Sequence, residues 1–512
     1  MSDVTAALRA SELVLALAID VGGLLERARA ERARAQTLSY AGEFEAALPL
    51  LDHAERHARS ANSLVESARA RMAAVHALHA LGRFDDAIAA GEAAHAAFLA
   101  AGEPVLAARA DANLGAIHRS RDDPAAALRH ADRARPHFVH DPGMLAQLDI
   151  NRGVALMDLD RFADAERAFL SALPTFEQAE MAWAAAIAEG NLAELAARQG
   201  RLQTSLYYYE RARRNLEKDT ADAEVARLLG EQADALETLG LLDEALDTYQ
   251  RAQQQLSQHG CAPEAVRACA GAGRVLLRLG RLDHAEAALT EAADGYDALG
   301  QPAARARLDL ARAELRAARG DVSGARELIV GALEQFENRP LDRAAAVLHR
   351  ARLALRDAGA THEEHSAAAI ALDGAITSAA TLDVAPLLAE LLRVRGRFAR
   401  LRGDDAAAAT DLRCAVEQVE RVRGALQAER FRAAFLGDRL GAFDELVAVL
   451  LDGAGDARVA EAFGVVERAK SRSLHDLVQG ALDSPDEHAP AGDGDDAALL
   501  DEFERLRSEL YA

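Results

Sequence analysis

The sequence has 512 residues, half of them apolar, and it carries a formal net charge of −23 at pH 7. Phosphate binding needs clustered cations, so the acidic excess argues against nucleic acid as the main partner. The apolar run from Leu13 to Ile19 is bracketed by Glu12 and Asp20 and is too short for a signal peptide or a bilayer span, which argues against a membrane partner.

Residues 1–24 are predicted to form a capping helix, and a turn signature then returns every 38 to 40 residues. It occurs at 41–44, 81–84, 159–162, 199–202, 239–242, 279–282 and 319–322. Asp122-Asp123-Pro124 fills the early gap, and Gly403 resumes the series after a blurred unit near residues 355 to 375. A fixed period of this size is typical of a solenoid and predicts about ten repeats.

Three columns of small residues keep the same period as the turn. The column seven residues before the turn comprises Ala35, Val75, Gly115, Gly153, Ala193, Ala233, Gly273, Ala313 and Gly396. The column five residues after it comprises Ala47, Ala87, Ala127, Ala165, Ser205, Ala245, Ala285, Ala325 and Ala408, and the column twelve after it Ala54, Ala94, Ala134, Ala172, Ala212, Ala252, Ala292, Ala332 and Ala415. Small residues let two helices approach closely, and bulkier neighbours such as Phe169 and Leu289 fill the groove that remains.

Each unit is predicted to be a helix, a short turn and a second helix, because apolar residues recur at helical spacing on both sides of the turn. Pro104, Pro142 and Pro302 fall where a first helix should open, a position at which the missing backbone N–H costs nothing. Strand signals are absent from the sequence. The pattern therefore predicts an all-α fold.

The turn and the small-residue columns resemble the tetratricopeptide repeat in its longer form of about 40 residues. The resemblance covers roughly residues 25–420. It implies a superhelix of helix pairs whose concave groove holds a partner.

Residues 421–480 leave the repeat register and resemble the helical connector that joins tetratricopeptide arrays to the caspase-like CHAT domain in bacterial proteins. The most specific part of the likeness is the run from Glu467 to Leu474, Glu-Arg-Ala-Lys-Ser-Arg-Ser-Leu. We expect an acidic flexible linker at 481–496 and the start of a further helix at 497–512. The resemblance implies a protease domain with a His-Cys dyad, which is missing from this chain.

Catalytic and metal-binding candidates within the chain are weak. His259-Gly260-Cys261 juxtaposes the two residue types of a cysteine protease, yet Gly260 is expected to be the left-handed stop of a helix. The histidine pairs His53/His57, His76/His79 and His362/His365 could each share a helix face, but no third ligand is identifiable for any of them. We therefore expect no catalytic residue, no metal site and no cofactor here, and three cysteines without a CxxC pair fit a cytoplasmic protein.

Asparagine recurs in three successive repeats, at Asn113, Asn151 and Asn191, on the first-helix face predicted to line the groove. An amide offers a donor and an acceptor together and can pair with the backbone of an extended peptide. The three positions resemble the groove asparagines of peptide-binding tetratricopeptide proteins such as kinesin light chain. The alternative is that each amide bonds only to neighbouring helices or water.

Three arginines, Arg109, Arg119 and Arg198, lie near the same face and could pair with an acidic ligand. The alternative is that they are ordinary solvated helix arginines.

Three hypotheses of function follow. The first is a protein-interaction scaffold, the regulatory and partner-sensing part of a tetratricopeptide-CHAT protein that binds an extended peptide or protein partner and adjoins a CHAT protease domain. The second is a portion of a CHAT-family cysteine endopeptidase whose dyad lies beyond residue 512. The third and weakest is a stand-alone tetratricopeptide adaptor.

Overall fold

The computed structural model describes residues 2–216, 222–259, 261–437, 439–453 and 455–483, and the regular secondary structure of these ranges is entirely helical. The helices are α1 (Ser2–Val21), α2 (Leu24–Tyr40), α3 (Phe44–Ser60), α4 (Leu64–Ala80), α5 (Phe84–Ala100), α6 (Pro104–Ser120), α7 (Pro124–Ala134), α8 (Pro142–Asp158), α9 (Phe162–Gln178), α10 (Ala182–Arg198), α11 (Leu202–Leu216), α12 (Asp222–Leu239), α13 (Leu242–Gln258), α14 (Ala262–Arg278), α15 (Leu282–Ala298), α16 (Pro302–Ala318), α17 (Val322–Gln335), α18 (Pro340–Arg356), α19 (His362–Thr381), α20 (Ala385–Leu401), α21 (Asp405–Ala425), α22 (Glu429–Gly437), α23 (Leu440–Asp452) and α24 (Asp456–Asp483). A short 3-10 helix, Arg135–Phe138, extends α7. None of the described helices has the length and hydropathy needed to cross a membrane.

Helices α2 to α21 form ten consecutive pairs, α2/α3 to α20/α21, and each pair is one repeat. Most of these helices have 17 residues, and three-residue turns join them, so two helices and two turns account for the 40-residue period. Pro104, Pro142 and Pro302 each open a first helix. The prediction of an all-α, tetratricopeptide-type helix-turn-helix solenoid of about ten repeats is confirmed.

The turn signature is a left-handed helix stop. Gly42 has φ +82°, and the N–H of Glu43 returns to the carbonyl of Leu38 at 2.9 Å, which satisfies a carbonyl that the helix end leaves open. Asp122 and Asp160 adopt the same conformation with φ of 61° and 57°, although an aspartate tolerates it less easily than glycine. The 3-10 turn between these two aspartates shortens their interval to 38 residues.

The small-residue column lies against the bulky residues of the second helices, as expected. A β-carbon added at Gly153 would overlap the ring of Phe169, and one added at Gly273 would lie 2.7 Å from Leu289 Cδ2. Both alanine columns are buried. Helices in each pair therefore pack at a distance that a larger residue in the column would not allow.

The blurred unit near residues 355 to 375 is a regular repeat with an irregular turn. Five residues, 357–361, join α18 to α19 where other repeats use three, and none of them has positive φ. A capping box compensates: the Thr361 side chain accepts from the backbone N–H of Glu364, and the Glu364 carboxylate accepts from that of Thr361. The altered turn chemistry explains why the sequence register fades here.

Successive first helices touch one another, as in α2 with α4, α10 with α12, α12 with α14 and α18 with α20, so they line the inner side of the curve. The curve is tight enough for the chain to meet itself one superhelical turn later. Asp122 accepts a hydrogen bond from the N–H of Ala303 at 2.8 Å and also pairs with Arg339. Two repeats after Asp122, the turn at Gly200 lies against Pro386.

The helices after the last repeat pack on the solenoid rather than extending from it. Phe435 of α22 and Phe443 of α23 share one apolar core with α20 and α21 and with Leu202 and Leu239 from the middle of the chain. The Arg439 guanidinium donates to the carbonyl of Thr238 at 3.1 Å. The backbone of α24 continues to residue 483, while 484–496 and 497–512 lie outside the described residues, so the proposed segment boundaries stay predictions.

Candidate functional site

The inner face of the solenoid carries an arginine column that runs beside the asparagines. Six first helices have arginine as their sixth residue: Arg29, Arg69, Arg109, Arg227, Arg267 and Arg307. They fall into two sets of three with 40-residue steps, one in α2, α4 and α6 and one in α12, α14 and α16. The asparagines are the tenth residues of α6, α8 and α10, one helical turn further on.

The later set of arginines is neutralised within the chain. Arg267 lies 3.5 Å from Asp234 and 3.8 Å from Glu231, with Glu194 at 4.0 Å. Arg307 makes a two-pronged contact with Asp342 at 2.7 and 2.8 Å, and Arg227 pairs with Glu231. The arginines of this part of the inner face are therefore paired within the chain and are poorly available to a charged ligand.

One carboxylate shows how strongly this network is coupled. Burial alone raises the pKa of Glu194, but the neighbouring Arg198 and Arg267 outweigh it and lower the pKa to about 2. Arg198 itself contacts Glu194 at 2.8 Å and Asp158 at 3.6 Å. Glu194 is thus held in its charged form, whereas burial raises the pKa of Glu231 in the same network.

Two arginines of the earlier set, Arg69 and Arg109, line an open cavity of about 580 Å³ formed by α2, α4, α5, α6 and α8. Its polar lining includes Arg32, Arg69, Arg109, Gln36, Asn113 and His76, and its apolar lining includes Met72, Phe98, Leu106 and Met144. Arg109 is exposed and has no ion-pair partner among the described residues. The cavity therefore combines a free cation, an amide and an apolar surface.

The other three arginines of this region share a single buried carboxylate, that of Glu66. Glu66 lies 2.5 Å from Arg32, 3.8 Å from Arg29 and 3.9 Å from Arg69. One negative charge against three positive charges leaves the first-helix face positive, and Arg109 adds to the excess. Guanidinium groups bind carboxylates with two parallel hydrogen bonds, so this face is suited to an acidic ligand.

The predicted asparagines differ in exposure, and only one of them lines the cavity. Asn113 and Arg109 line the cavity together, one helical turn apart on α6. Asn151 is half-buried on α8, and Asn191 is buried on α10 with 6% of its surface exposed. A ligand that followed the whole asparagine column would have to pass from an open surface to a closed one.

The other two predicted arginines lie outside this cavity. Arg119 is exposed at the end of α6, where burial, His76 and Arg119 together lower the pKa of His79. Arg198 is already paired with Glu194 and Asp158. Arg109 was predicted, but Arg29 and Arg69 were not, although the 40-residue spacing of the three is readable in the sequence.

The cysteine and histidine candidates have ordinary partners. Cys261 Sγ lies 3.9 Å from the backbone carbonyl oxygen of His259, and Gly260 lies outside the described residues. His57 bonds to Glu31, and His365 bonds to the Ala354 carbonyl. Across the described ranges, no cluster of three or more histidine, cysteine, aspartate or glutamate side chains has metal-site geometry.

No family model and no curated protein matches this sequence. Among solved structures, the chain is similar to a Rap protein complexed with competence and sporulation factor, at 14% identity over 75% of this chain and 99% of that one, with a TM-score of 0.49. It is similar to the APC/C hetero-tetramer Cut9-Hcn1, at 14% identity over 92% and 94% with a TM-score of 0.45. It is also similar to a tetratricopeptide repeat protein from Parabacteroides merdae, at 18% identity over 57% and 98% with a TM-score of 0.33.

Proposed function

We propose that this chain is a protein-interaction scaffold that binds an extended acidic segment of a partner protein on the inner face of its first three repeats. The observation that carries the proposal is the contrast along the arginine column. Arg109 is exposed in a cavity with Asn113, whereas Arg267 and Arg307 face carboxylates of the same chain. The chain acts by binding and contributes no catalytic residue.

The chemistry of the cavity supports a peptide as the ligand. The Asn113 amide can donate to and accept from a peptide backbone, and Arg109 can hold a carboxylate beside it. Met72, Leu106 and Met144 supply apolar contact, and methionine adapts to side chains of different shape. This combination favours a ligand with both an acidic and an apolar residue.

Binding to an array of immobilised ten-residue peptides tests the proposal, with glutamate-rich, neutral and lysine-rich sequences of equal apolar content. We expect the acidic peptides to be retained and the retention to fall at least about tenfold in Arg109→Ala, because a charge-assisted contact is lost. Asn113→Ala should weaken all retained peptides, because it removes a backbone contact.

Arg129→Ala is the matched control. Arg129 is an exposed arginine without an ion-pair partner among the described residues, and it lies on α7, the second helix of the same repeat. Equal losses in Arg109→Ala and Arg129→Ala would contradict the assignment to the groove. Retention of lysine-rich peptides would contradict the acidic ligand.

We further propose that partner binding in the groove regulates an adjoining CHAT protease domain. The likeness of residues 467–474 to the connector of such proteins supports it, and so does the packing of the connector. Arg439 bonds to Thr238, and Arg430 lies 3.8 Å from Glu244, so α22 and the turn after it contact the sixth repeat. A ligand that alters the curvature of the array would therefore act on the connector.

Sequencing of the genomic DNA beyond the codon for Ala512 tests this second proposal. A reading frame that continues into a sheet-forming region with a histidine and a distant cysteine is the expected result, and it would also satisfy the endopeptidase hypothesis. A frame without such a region would contradict the protease connection and favour a stand-alone adaptor.

A further inference from the structure

The first helix of the chain presents an apolar stripe to the outside. Leu13 is 72% exposed, Leu17 63% and Val21 78%. Val14 is also mostly exposed, and Ala6 and Ala10 continue the stripe toward the start of α1. The spacing of 6, 10, 13, 17 and 21 is that of one helix face.

The opposite face holds α1 in place. Leu8 joins the apolar cluster of α2 and α3, and Ala18 is buried. Arg34 of α2 donates to the carbonyl of Leu8 at 2.6 Å and to the Ser11 hydroxyl at 3.0 Å. The opposite face of α1 is therefore packed against the solenoid, so the exposure of the stripe is not the result of a misoriented helix.

An outer helix with this surface differs from the usual cap of a solenoid. The outermost helix of an array needs a polar outer face to stay soluble, and monomeric proteins rarely expose a contiguous apolar patch of this kind. In the described part of the chain, α1 packs on α2 and its stripe is left exposed. The stripe is therefore suited to packing against another helix.

Charges along the stripe indicate which helix. Arg9 and Asp20 are both exposed and are 11 residues apart, which places them about 20° apart around the axis, on the same edge of α1. Two copies of α1 packed antiparallel about a twofold axis midway between these residues bring each Arg9 beside Asp20 of the other copy. The same geometry places Leu13 and Leu17 of both copies in the centre of the contact.

We propose that the protein forms a twofold dimer through antiparallel packing of α1 against α1 of a second copy. The contact is isologous, because one apolar stripe and one pair of opposite charges complement themselves. It lies outside the groove, since the cavity is formed by α2, α4, α5, α6 and α8.

Sedimentation equilibrium of the full chain over a concentration series tests the proposal. We expect a species of twice the 54.5 kDa chain mass, and we expect Leu17→Glu to shift it to the single-chain mass. Leu17 is exposed, so its replacement should leave the helix content unchanged, which circular dichroism checks. A wild-type chain that stays at 54.5 kDa throughout, or a Leu17→Glu dimer, would overturn the proposal.

Charge reversal separates this arrangement from non-specific association. Arg9→Glu and Asp20→Arg should each raise the dissociation constant at least about tenfold, because each creates two like-charge contacts, and the double variant should restore it. Failure of the double variant to recover would overturn the antiparallel geometry. Ile370→Glu, at an equally exposed apolar residue on α19, is the control and should leave the dimer intact.

Discussion

The carboxylate of Asp160 accepts a hydrogen bond from the backbone N–H of Leu341 at 2.9 Å, although 181 residues separate the two. Asp122 has the same relation to Ala303, again 181 residues later. Both aspartates occupy turn positions where most repeats have glycine, and both accept from an N–H in the first turn of a helix that begins with proline. Turns of one superhelical layer thus cap the helices of the next.

Asp160→Gly should lower the free energy of unfolding by about 1 kcal/mol, because the cap of α18 is lost while the left-handed turn becomes easier to adopt. Urea unfolding followed by circular dichroism measures it, and hydrogen exchange at the start of α18 should accelerate. Asp383→Gly, another aspartate with positive φ, removes an exposed ion pair with Arg421 and should cost less. Equal effects at the two sites would contradict the capping role.

Removal of one arginine should destabilise the fold more in the later set of the arginine column than in the earlier set. Arg267→Met leaves Glu194, Glu231 and Asp234 without their shared cation and should destabilise the fold by about 1 to 3 kcal/mol, less than a fully buried site would lose. Arg109→Met should change stability by no more than about 0.5 kcal/mol. Thermal unfolding of both variants checks the pair, and equal losses would argue against a groove with one closed and one open end.

The packing of the small-residue column can be tested at Gly153. Gly153→Ala places a methyl group against the Phe169 ring and should destabilise by about 1 to 3 kcal/mol. Phe169→Leu in the same chain should recover part of the loss, so the double-mutant cycle should give a coupling energy of at least about 0.5 kcal/mol. Gly331→Ala, in helix α17 with open space around it, should instead be neutral or stabilising.

His349 should make the stability depend on pH in one window. Burial, together with Arg352 and Arg356, lowers its pKa from the ordinary 6.5 to about 4, against the raising effect of Glu314. The folded state therefore disfavours the charged ring, so this contribution is complete above pH 6.5 and is lost as the pH falls toward 4.

The loss at His349 is at most about 3 kcal/mol, and less to the extent that water reaches the half-buried ring. Urea unfolding at pH 7 and pH 4.5 measures it. His349→Gln should lose less stability between the two pH values than the wild type, while carboxylates elsewhere affect both alike. An identical pH dependence in the variant would show that the ring does not carry the effect.

Local patterns were enough to predict the repeats. The turn glycines, the alanine columns and the opening prolines each act within one or two repeats, so their physical consequences are readable from the sequence. The repeat containing α18 and α19 was blurred because its turn uses a capping box in place of a left-handed residue. Where the local chemistry changes, the periodic signal fades although the fold continues.

The site was harder to predict, because charge pairing depends on which helices become neighbours. Asn113 and Arg109 share the cavity, but the sequence does not distinguish the buried Asn191 from the exposed Asn113, nor the paired Arg198 from the unpaired Arg109. The contacts of Asp122 and Asp160 depend on a small rotation that accumulates over several repeats. In the sequence these two residues look only like substitutes for glycine.

The contact of Asp122 with Ala303 and of Asp160 with Leu341 also constrains how such a chain can evolve. Open solenoids can gain or lose a repeat, because each unit meets only its neighbours. Here a duplication or deletion of one 40-residue unit between Asp160 and Ala303 would carry both aspartates past the helix ends that they cap. These contacts therefore constrain the number of repeats in this stretch as a whole, in the way that closure constrains the strand number of a barrel.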